Sequence, residues 1–230
     1  MQKEKVKLQF SKHAHTYSQY AYIQDKVAKD LVKLFGKPKG FGVDLGCGTG
    51  FVSSQFTPDS IIGVDISQKM VLEYKRKGYI AVLGDVESLP FKASSFNFAV
   101  SSFSLHWVNL EKVFRETYRV LKKNGIFIAS IPVKRSLENL YQQLGINFSF
   151  PTEEEVVEIL LRQKFLSLQT KTRSYYLSFA SGYHILKFFK HTGTNLESEN
   201  KNLGQIRKIY KRQKPLSTKF EILFFRAVKG

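Results

Sequence analysis

The sequence predicts an α/β fold with a mostly parallel sheet, and three observations support this prediction. Short apolar runs that are typical of buried strands alternate with segments whose apolar residues recur at helical spacing. Three successive runs in the first half lead into acidic residues, as expected where the carboxyl ends of parallel strands line one crevice. A glycine-rich loop lies at residues 44–50, directly after the first run. The first half of the chain therefore predicts a nucleotide-type binding site.

The glycine-rich loop has the sequence DLGCGTG. It follows a predicted strand at residues 41–43 and precedes residues 51–55, which we expect to begin a helix. Glycines at alternate positions remove side chains that would keep a ligand away from the backbone. The G-x-G-x-G spacing is not that of a dinucleotide loop, and no lysine follows as in a phosphate loop. The loop resembles motif I of the class I S-adenosylmethionine (SAM) methyltransferases. This implies cofactor contacts from Asp44, Gly46, Cys47, Gly48 and Gly50.

The next two predicted strands also lead into acids. Residues 61–65 form an apolar run that ends in Asp65, 21 positions after Asp44, where a nucleotide-binding unit places its ribose-binding acid. Residues 79–83 form the third strand, and Asp85 follows it. The resemblance implies that Asp85 meets the adenine amine. It extends the cofactor site to Asp65, Ile66, Asp85 and Val86.

The rest of the first half continues the alternation. Residues 96–101 form a fourth strand, and Ser101 at its end joins the predicted cofactor site. Apolar residues at helical spacing over 110–121 predict a helix that Gly125 ends, and residues 126–131 form the fifth strand.

The second half contains two more predicted strands between helices. Thr152 and Glu155 have the spacing of a capping box, which predicts the start of a helix. The later elements are strands at 165–176 and 219–228 and basic helices at 182–191 and 206–212.

The N-terminal segment has two parts. Residues 23–32 carry apolar side chains at helical spacing, which predicts a helix packed on the sheet. The preceding part is aromatic and polar and suits a cap over a pocket, so Tyr17 is expected to close the cofactor pocket.

A more selective resemblance covers nearly the whole chain. The opening pattern F-x-x-x-A-x-x-Y, from Phe10 to Tyr17, is similar to that of the malonyl-[acyl-carrier protein] O-methyltransferases of biotin synthesis. Further stretches resemble the same family: GDVESLPF from Gly84, SSFSLHWV from Ser101, RVLKKNG from Arg119, SLENL from Ser136 and LKFFKHTG from Leu186. The chain departs from the family at Lys134 and Arg135, where small residues are commoner.

This resemblance implies one Rossmann-like domain over residues 1–230. The implied sheet has seven mostly parallel strands in the order 3-2-1-4-5-7-6, with the last strand antiparallel and helices on both faces. The expected parts are an N-terminal cap at 1–35, a SAM-binding core at 36–132 and cap insertions at 133–150 and 178–214.

The implied reaction transfers a methyl group from SAM to the free carboxylate of a malonyl thioester on acyl carrier protein. Such a carboxylate has a pKa of about 4 and is ionised at neutral pH, so we expect no catalytic general base and no metal. His106 and Trp107 follow the fourth strand and are candidates to line the acceptor channel. Lys134 and Arg135 follow the fifth strand and are candidates to orient the carboxylate or to dock the carrier.

Charge is distributed unevenly along the chain. Residues 162–230 carry fifteen Lys/Arg and three Asp/Glu, whereas residues 41–161 carry twelve and thirteen. A positive field favours encounters with an acidic macromolecule, although a lysine-rich proteome would produce the same bias. Because acyl carrier proteins are strongly acidic, we expect the carrier to dock at Lys187, Lys190, Arg207, Lys208, Lys211 and Arg212.

Two other functions remain open at this point. A small-molecule methyltransferase, acting on a quinone or a carboxylic acid, shares the first half of the pattern. An RNA methyltransferase fits the net charge of +17. Base-amine chemistry is disfavoured by Ser101-Ser102-Phe103-Ser104 after the fourth strand, and cytosine C5 chemistry by the single cysteine, Cys47. One cysteine, no long apolar run and no signal-peptide pattern favour a cytoplasmic protein without a membrane partner.

Overall fold

A mixed sheet forms the centre of the structure, a computed structural model that describes residues 2–192 and 203–230. Over these residues the sheet has seven strands in the order β3-β2-β1-β4-β5-β7-β6. Strand β7 runs antiparallel to both of its neighbours, β5 and β6, and all other neighbouring strands are parallel. The predicted fold class and strand order are therefore confirmed. The strands are β1 Gly42–Leu45, β2 Ile61–Asp65, β3 Ile80–Leu83, β4 Phe96–Ser102, β5 Leu121–Pro132, β6 Phe165–Phe179 and β7 Leu216–Lys229.

Helices cover both faces of the sheet. They are α1 Gln2–Tyr20, α2 Tyr22–Phe35, α3 Gln68–Arg76, α4 Leu110–Val120, α5 Glu138–Leu144, α6 Glu153–Arg162, α7 Gly182–His191 and α8 Leu203–Tyr210. One hydrophobic core joins α2, α5 and α7 to one face, and a second joins α4 and α6 to the other. Neighbouring residues of β7 point to opposite faces of the sheet, so Phe224 packs in the first core and Phe225 in the second.

The strand order places β1 between β2 and β4, with which it pairs in parallel. Chain connections leave β1 toward β2 and later return to β4, so a crevice opens beyond the carboxyl ends of these strands. The residues that follow β1, β2, β3 and β4 therefore meet at one edge of the sheet.

Two predicted elements differ most from the structure. Smaller differences occur at β7, which begins at Leu216 rather than at residue 219, and at α8, which is Leu203–Tyr210 rather than 206–212. Residues 51–55 form turns and a single 3₁₀ turn at Ser53–Gln55 rather than the start of an α-helix. One backbone bond here spans four residues, from Ser54 N to Gly50 O, but the next two span only three, from Gln55 N to Val52 O and from Phe56 N to Ser53 O. The extended backbone of Thr57, next to Pro58, prevents continuation as a helix.

The second wrong boundary lies between α4 and β5. The helix ends at Val120, and the strand begins at Leu121 rather than after Gly125. Leu121 is fully buried and pairs with Phe96, so burial places it in the sheet. Gly125 instead lets the chain approach itself closely, because a Cβ there would lie 2.7 Å from the carbonyl oxygen of Lys122.

The predicted N-terminal helix is present and is preceded by a second one. Ala21 separates α1 from α2 with φ −86° and ψ 41°, which breaks the helical path between them. The capping box predicted at Thr152 and Glu155 is also present at the start of α6.

The two basic segments of the second half form α7 and α8, which pack against each other. Gly182, the first residue of α7, donates its backbone N–H to the carbonyl of Arg212 at 2.9 Å. A Cβ at Gly182 would overlap the carbonyl oxygen of Ile209, at 1.6 Å, so this close packing requires glycine. The rings of Tyr183 and Tyr210 also meet, at 5.9 Å between centroids.

Candidate active site

A cavity of about 960 Å³, counted with its opening, lies at the carboxyl edge of the first four strands. Its base is formed by the glycine-rich loop and by the residues that follow β2, β3 and β4. Phe10 and Tyr17 of α1 and Gln24 of α2 close it from above. The position of this cavity matches that of ligand sites in doubly wound sheets.

Asp44 is the most buried acid of the cavity. Its Oδ2 accepts a hydrogen bond of 2.6 Å from the Ser53 hydroxyl, which itself accepts one of 2.6 Å from the Tyr74 hydroxyl. Its Oδ1 is buried and has no hydrogen-bond partner among the described residues. Burial raises the pKa of Asp44 to about 7, with a further contribution from the charge of Asp65 and an opposing one from Ser53.

Asp65 connects the glycine-rich loop to the end of β2. Its Oδ2 accepts the backbone N–H of Gly48 at 2.9 Å, and its Oδ1 accepts that of Ser67 at 2.8 Å. Burial raises the pKa of Asp65, although the two N–H donors partly oppose the shift. Both carboxylate oxygens keep a further lone pair, which can accept a bond from a ligand hydroxyl.

Gly46 shows why the loop needs glycine. Its φ of 69° lies in the left-handed region, and a Cβ there would come within 2.6 Å of the Ser104 hydroxyl oxygen. Asp85 and Val86 form the next part of the wall, where Asp85 Oδ1 accepts the backbone N–H of Glu87 at 2.9 Å. Ile66, which follows β2, also lines the cavity.

Helix α1 lies over the cavity and is bonded to its rim. Ser11 shares a hydrogen bond of 2.8 Å with Ser67, and Ser18 donates one of 3.0 Å to the hydroxyl of Thr49. The ring of Tyr17 lies 6.0 Å from that of Phe51, and burial raises the pKa of Tyr17, so its hydroxyl stays neutral.

The wall after β4 is apolar and carries small hydroxyl groups. It consists of Ser102, Phe103, Ser104, Trp107 and Val108, none of which is ionisable at neutral pH. The ring of Phe10 in α1 meets that of Trp107 with centroids 6.3 Å apart. This part of the cavity can therefore hold an acceptor but offers it no proton-accepting side chain.

His106 lies behind this wall rather than in it. Its ring contacts those of Phe103, Trp107 and Phe150, with centroids 4.6–5.8 Å away. Burial lowers the pKa of His106 to about 3, so the imidazole is neutral and a very weak base. Of the two predicted acceptor-channel residues, Trp107 lines the cavity and His106 does not.

Four other predicted residues do not line the cavity: Gly50, Ser101, Lys134 and Arg135. Ser101 is fully buried beneath it and donates a hydrogen bond of 2.7 Å to the carbonyl of Leu45. Because neighbouring strand residues point to opposite faces, Ser102 takes its place at the cavity. Lys134 and Arg135 are exposed in the turn after β5, and neither lines the cavity.

The residues predicted to dock a carrier come together on α7, on α8 and just after it. Lys187 is half-buried, with its ammonium 5.9 Å from the ring centroids of both Tyr20 and Tyr183. The others are exposed: Lys190, Arg207, Lys208, Lys211 and Arg212. These six residues are called the basic face below. Residues 193–202, part of the predicted insertion at 178–214, lie outside the described residues.

Sequence reasoning missed Gln24, Phe10 and Ser102 as residues of the site. Gln24 is buried on α2 and lines the cavity. Its only signal in the sequence is a polar residue among the apolar positions of a helix face, at Ile23, Val27 and Ala28.

Comparison with known proteins was made at the levels of sequence and structure. The family described as "Methyltransferase domain" matches residues 43–129. A malonyl-[acyl-carrier protein] O-methyltransferase of Herminiimonas arsenicoxydans is 30% identical over 217 residues, or 90% of this chain and 84% of that protein. A biotin biosynthesis bifunctional protein of Saccharophagus degradans is 31% identical over 88% of this chain and 39% of its own length.

The fold has a counterpart among solved structures. The crystal structure of a SAM-dependent methyltransferase of Thermotoga maritima, described as a possible histamine N-methyltransferase, matches with a TM-score of 0.67. It is 22% identical, and the match covers 98% of this chain and 100% of that one. Over the described residues, no helix is long and apolar enough to cross a membrane.

The raised pKa of Asp44 predicts a pH-dependent stability. The folded state holds a proton on this carboxyl up to about pH 7, whereas the unfolded chain releases it near the ordinary aspartate pKa of 3.8. The free energy of unfolding should therefore fall as pH rises from about 4 to about 7, by at most roughly 4 kcal/mol from this group. In Asp44→Asn this part of the decline should be absent. Urea denaturation of both proteins between pH 4.5 and 8 measures the difference, and parallel curves would contradict the assignment.

Proposed function

Because the chain belongs to the malonyl-[acyl-carrier protein] O-methyltransferase family, within the class I SAM-dependent methyltransferases, we propose that it methylates the free carboxylate of a malonyl thioester on an acidic acyl carrier protein. The chain is a SAM-dependent methyltransferase, and its relatives include proteins named for biotin biosynthesis. The choice of acceptor is the proposal.

The cavity fits SAM, which supplies an electrophilic methyl group on a sulfonium. The glycine-rich loop leaves room that side chains would fill, and Asp44 presents a buried oxygen that no described residue pairs. Asp65 would accept hydrogen bonds from ribose hydroxyls, and Asp85 with Val86 would meet the adenine. The loop is followed by a 3₁₀ turn rather than by an α-helix. This suits SAM, because the N-terminus of an α-helix favours anions and the sulfur of SAM is cationic.

The chemistry of the wall after β4 is the observation that supports a carboxylate as the acceptor. Its five side chains include no base, and the neighbouring imidazole of His106 has a pKa of about 3. A phenol or a carbon acid would need a base to remove its proton, whereas a carboxylate is already ionised at pH 7. The role left to Phe103, Trp107 and Phe10 is to position the acceptor and to exclude water.

The basic face supports a carrier-bound acceptor. Helix α7 packs against α1, where the ring of His191 stacks on that of Tyr20 at 4.2 Å. Helix α1 in turn carries Phe10 and Tyr17 into the cavity. A carrier docked on α7 and α8 would therefore stand beside the helix that covers the site. Positive charge there would also speed the encounter with an acidic protein.

The test compares methyl acceptors under identical SAM concentrations. Malonyl-carrier, malonyl-CoA, a free quinone precursor and RNA are each supplied to the purified protein, and transferred methyl groups are counted. We expect the highest kcat/KM with malonyl-carrier and a lower one with malonyl-CoA. Preferred methylation of the quinone precursor or of RNA would overturn the proposed acceptor.

Asp65→Ala should weaken SAM binding by about 1–3 kcal/mol, because the ribose would lose hydrogen bonds to a charged group. Isothermal titration calorimetry measures the change. Asp59→Ala is the matched control, since Asp59 is an exposed acid on the 3₁₀ turn before β2. Equal affinities of the Asp65 and Asp59 variants would remove Asp65 from the cofactor site.

Reversal of charge on the basic face should slow methylation of the carrier. For the double variant Lys190→Glu and Lys208→Glu, we expect KM for malonyl-carrier to rise about tenfold, with SAM affinity and activity on malonyl-CoA unchanged. The control reverses the same charges at Lys122 and Lys123, which are exposed in the first residues of β5. If both double variants show the same KM, the carrier docks elsewhere.

A further inference from the structure

Helix α1 covers the cavity without belonging to either hydrophobic core. Its buried residues Ala14 and Tyr17 pack with Met70 of α3 in a small cluster that is separate from both cores. Helix α2, in contrast, contributes five buried residues to the first core. Between the two helices, the backbone at Ala21 leaves the helical path. Helix α1 can therefore rotate about Ala21 without exposing either core to water.

A cluster of side chains joins α1 to α7. The ring of His191 in α7 stacks on that of Tyr20, with centroids 4.2 Å apart and planes 11° apart, and meets the ring of His13 edge-on at 5.1 Å. Thr16 Oγ1 and His191 Nδ1 share a hydrogen bond of 3.4 Å. His13, Thr16 and Tyr20 lie at spacings of three and four, so they share one face of α1. These three residues and His191 are called the histidine latch below.

The surroundings of the latch are positive. Burial lowers the pKa of both His13 and His191, and the charges of neighbouring basic groups lower each further. Among the described residues, no carboxylate contributes to either shift. Both imidazoles are therefore mainly neutral at pH 7 in the closed arrangement. Apart from the pair itself, the groups that contribute are Lys12 and His15 from α1 and Lys187 and Lys190 from α7.

We propose that the histidine latch is a pH-sensitive device that holds α1 over the cavity in neutral solution and releases it in acid. Protonation of His13 and His191 adds two positive charges between helices that already carry lysines there, and separation of the helices relieves the repulsion. Release moves Phe10 and Tyr17 away from the cavity, since both lie on α1. The inference concerns access to the cavity and is independent of the methyl acceptor.

The direction of the effect follows from the linkage between protonation and opening. The ordinary pKa of histidine is 6.5, whereas the pKa values of His13 and His191 are lower in the closed arrangement. Well above pH 6.5 neither arrangement binds a proton on these rings, so the latch has its full strength. As pH falls below 6.5, the open arrangement binds protons that the closed one resists. At pH 5.5 the opening equilibrium should rise by at most about tenfold for each histidine.

Trp107 provides a natural probe of opening, because it is the only tryptophan in the chain. Its ring meets that of Phe10 with centroids 6.3 Å apart, so departure of α1 exposes the indole further. The adjacent His106 has a pKa of about 3 and does not titrate above pH 5. The emission maximum and acrylamide quenching of the full chain are measured without ligand from pH 8 to pH 5. We expect a red shift and stronger quenching below about pH 6.5.

Substitutions with phenylalanine separate the charge of the latch from its packing. His191→Phe keeps a ring against Tyr20 but cannot bind a proton, so we expect it to reduce the change in Trp107 quenching by about half. The double variant with His13→Phe should abolish the change. His184→Phe is the matched control, because His184 is exposed on the same helix and its ring bonds to Ser181 rather than to α1.

The fluorescence outcomes decide the inference. His184→Phe should respond as the wild type does. Asp44 also titrates in this range, but every variant retains it, so differences between variants isolate the histidines. An unchanged signal in the wild type, or an equal response in the wild type and in His191→Phe, would show that the latch is not released by protonation. The single variant keeps the test valid if the double variant does not fold.

Hydrogen exchange of the wild type locates the opening. Expressed as protection factors, exchange in α1 should accelerate at least fivefold between pH 7.5 and pH 5.5, while α2 and the strands of the sheet change by less than twofold. His191→Phe should show a smaller acceleration in α1. Equal acceleration in α1, α2 and the sheet would mean acid unfolding of the whole domain and would overturn the inference.

Discussion

The two hydrogen bonds accepted by Asp65 hold the site together. One carboxylate oxygen binds the backbone N–H of Gly48 in the loop after β1, and the other binds that of Ser67 after β2. The bond to Gly48 requires β1 and β2 to be neighbours that end at the same edge, whereas the bond to Ser67 is local to the end of β2. The same carboxylate still has lone pairs for a ligand, so one side chain both fixes the shape of the cavity and presents its charge to it.

The cavity contains buried carboxyl groups, whose ionisation costs free energy that a nearby cation can offset. Burial raises the pKa of both Asp44 and Asp65, which means that the protein resists their ionisation when no opposite charge is near. Lys77, which follows α3, donates a hydrogen bond to the backbone carbonyl of Thr49. A cationic cofactor such as SAM would supply positive charge beside the two acids. Stability of the empty protein and affinity for the cofactor are therefore opposed at these residues.

The wall of the cavity after β4 is apolar rather than acidic. Phe103, Trp107 and Val108 form an apolar surface, and the nearby His106 is held neutral by burial. Under the proposed function, the site would hold the methyl donor and orient the acceptor without generating a nucleophile. This division suits an acceptor that arrives ionised. The basic face on α7 and α8 lies outside the cavity. Recognition of a carrier and alignment of its cargo would therefore use separate surfaces.

Much of this protein follows from sequence alone. The alternation of strands and helices, the glycine-rich loop and the acids at 44, 65 and 85 determine the sheet and one wall of the cavity, because a parallel sheet brings its strand ends together whatever the rest of the chain does. Local patterns failed where the outcome depended on contacts distant in sequence. The strand start at Leu121 follows from pairing with Phe96, and the exchange of Ser102 for Ser101 follows from the pleat of β4. Gln24 could not be recognised, since its Oε1 lacks a donor among the described residues only when α2 is packed on the sheet. Hydrogen-bond satisfaction and burial depend on the assembled molecule, and for that reason only the tertiary structure decided which polar groups remain for a ligand.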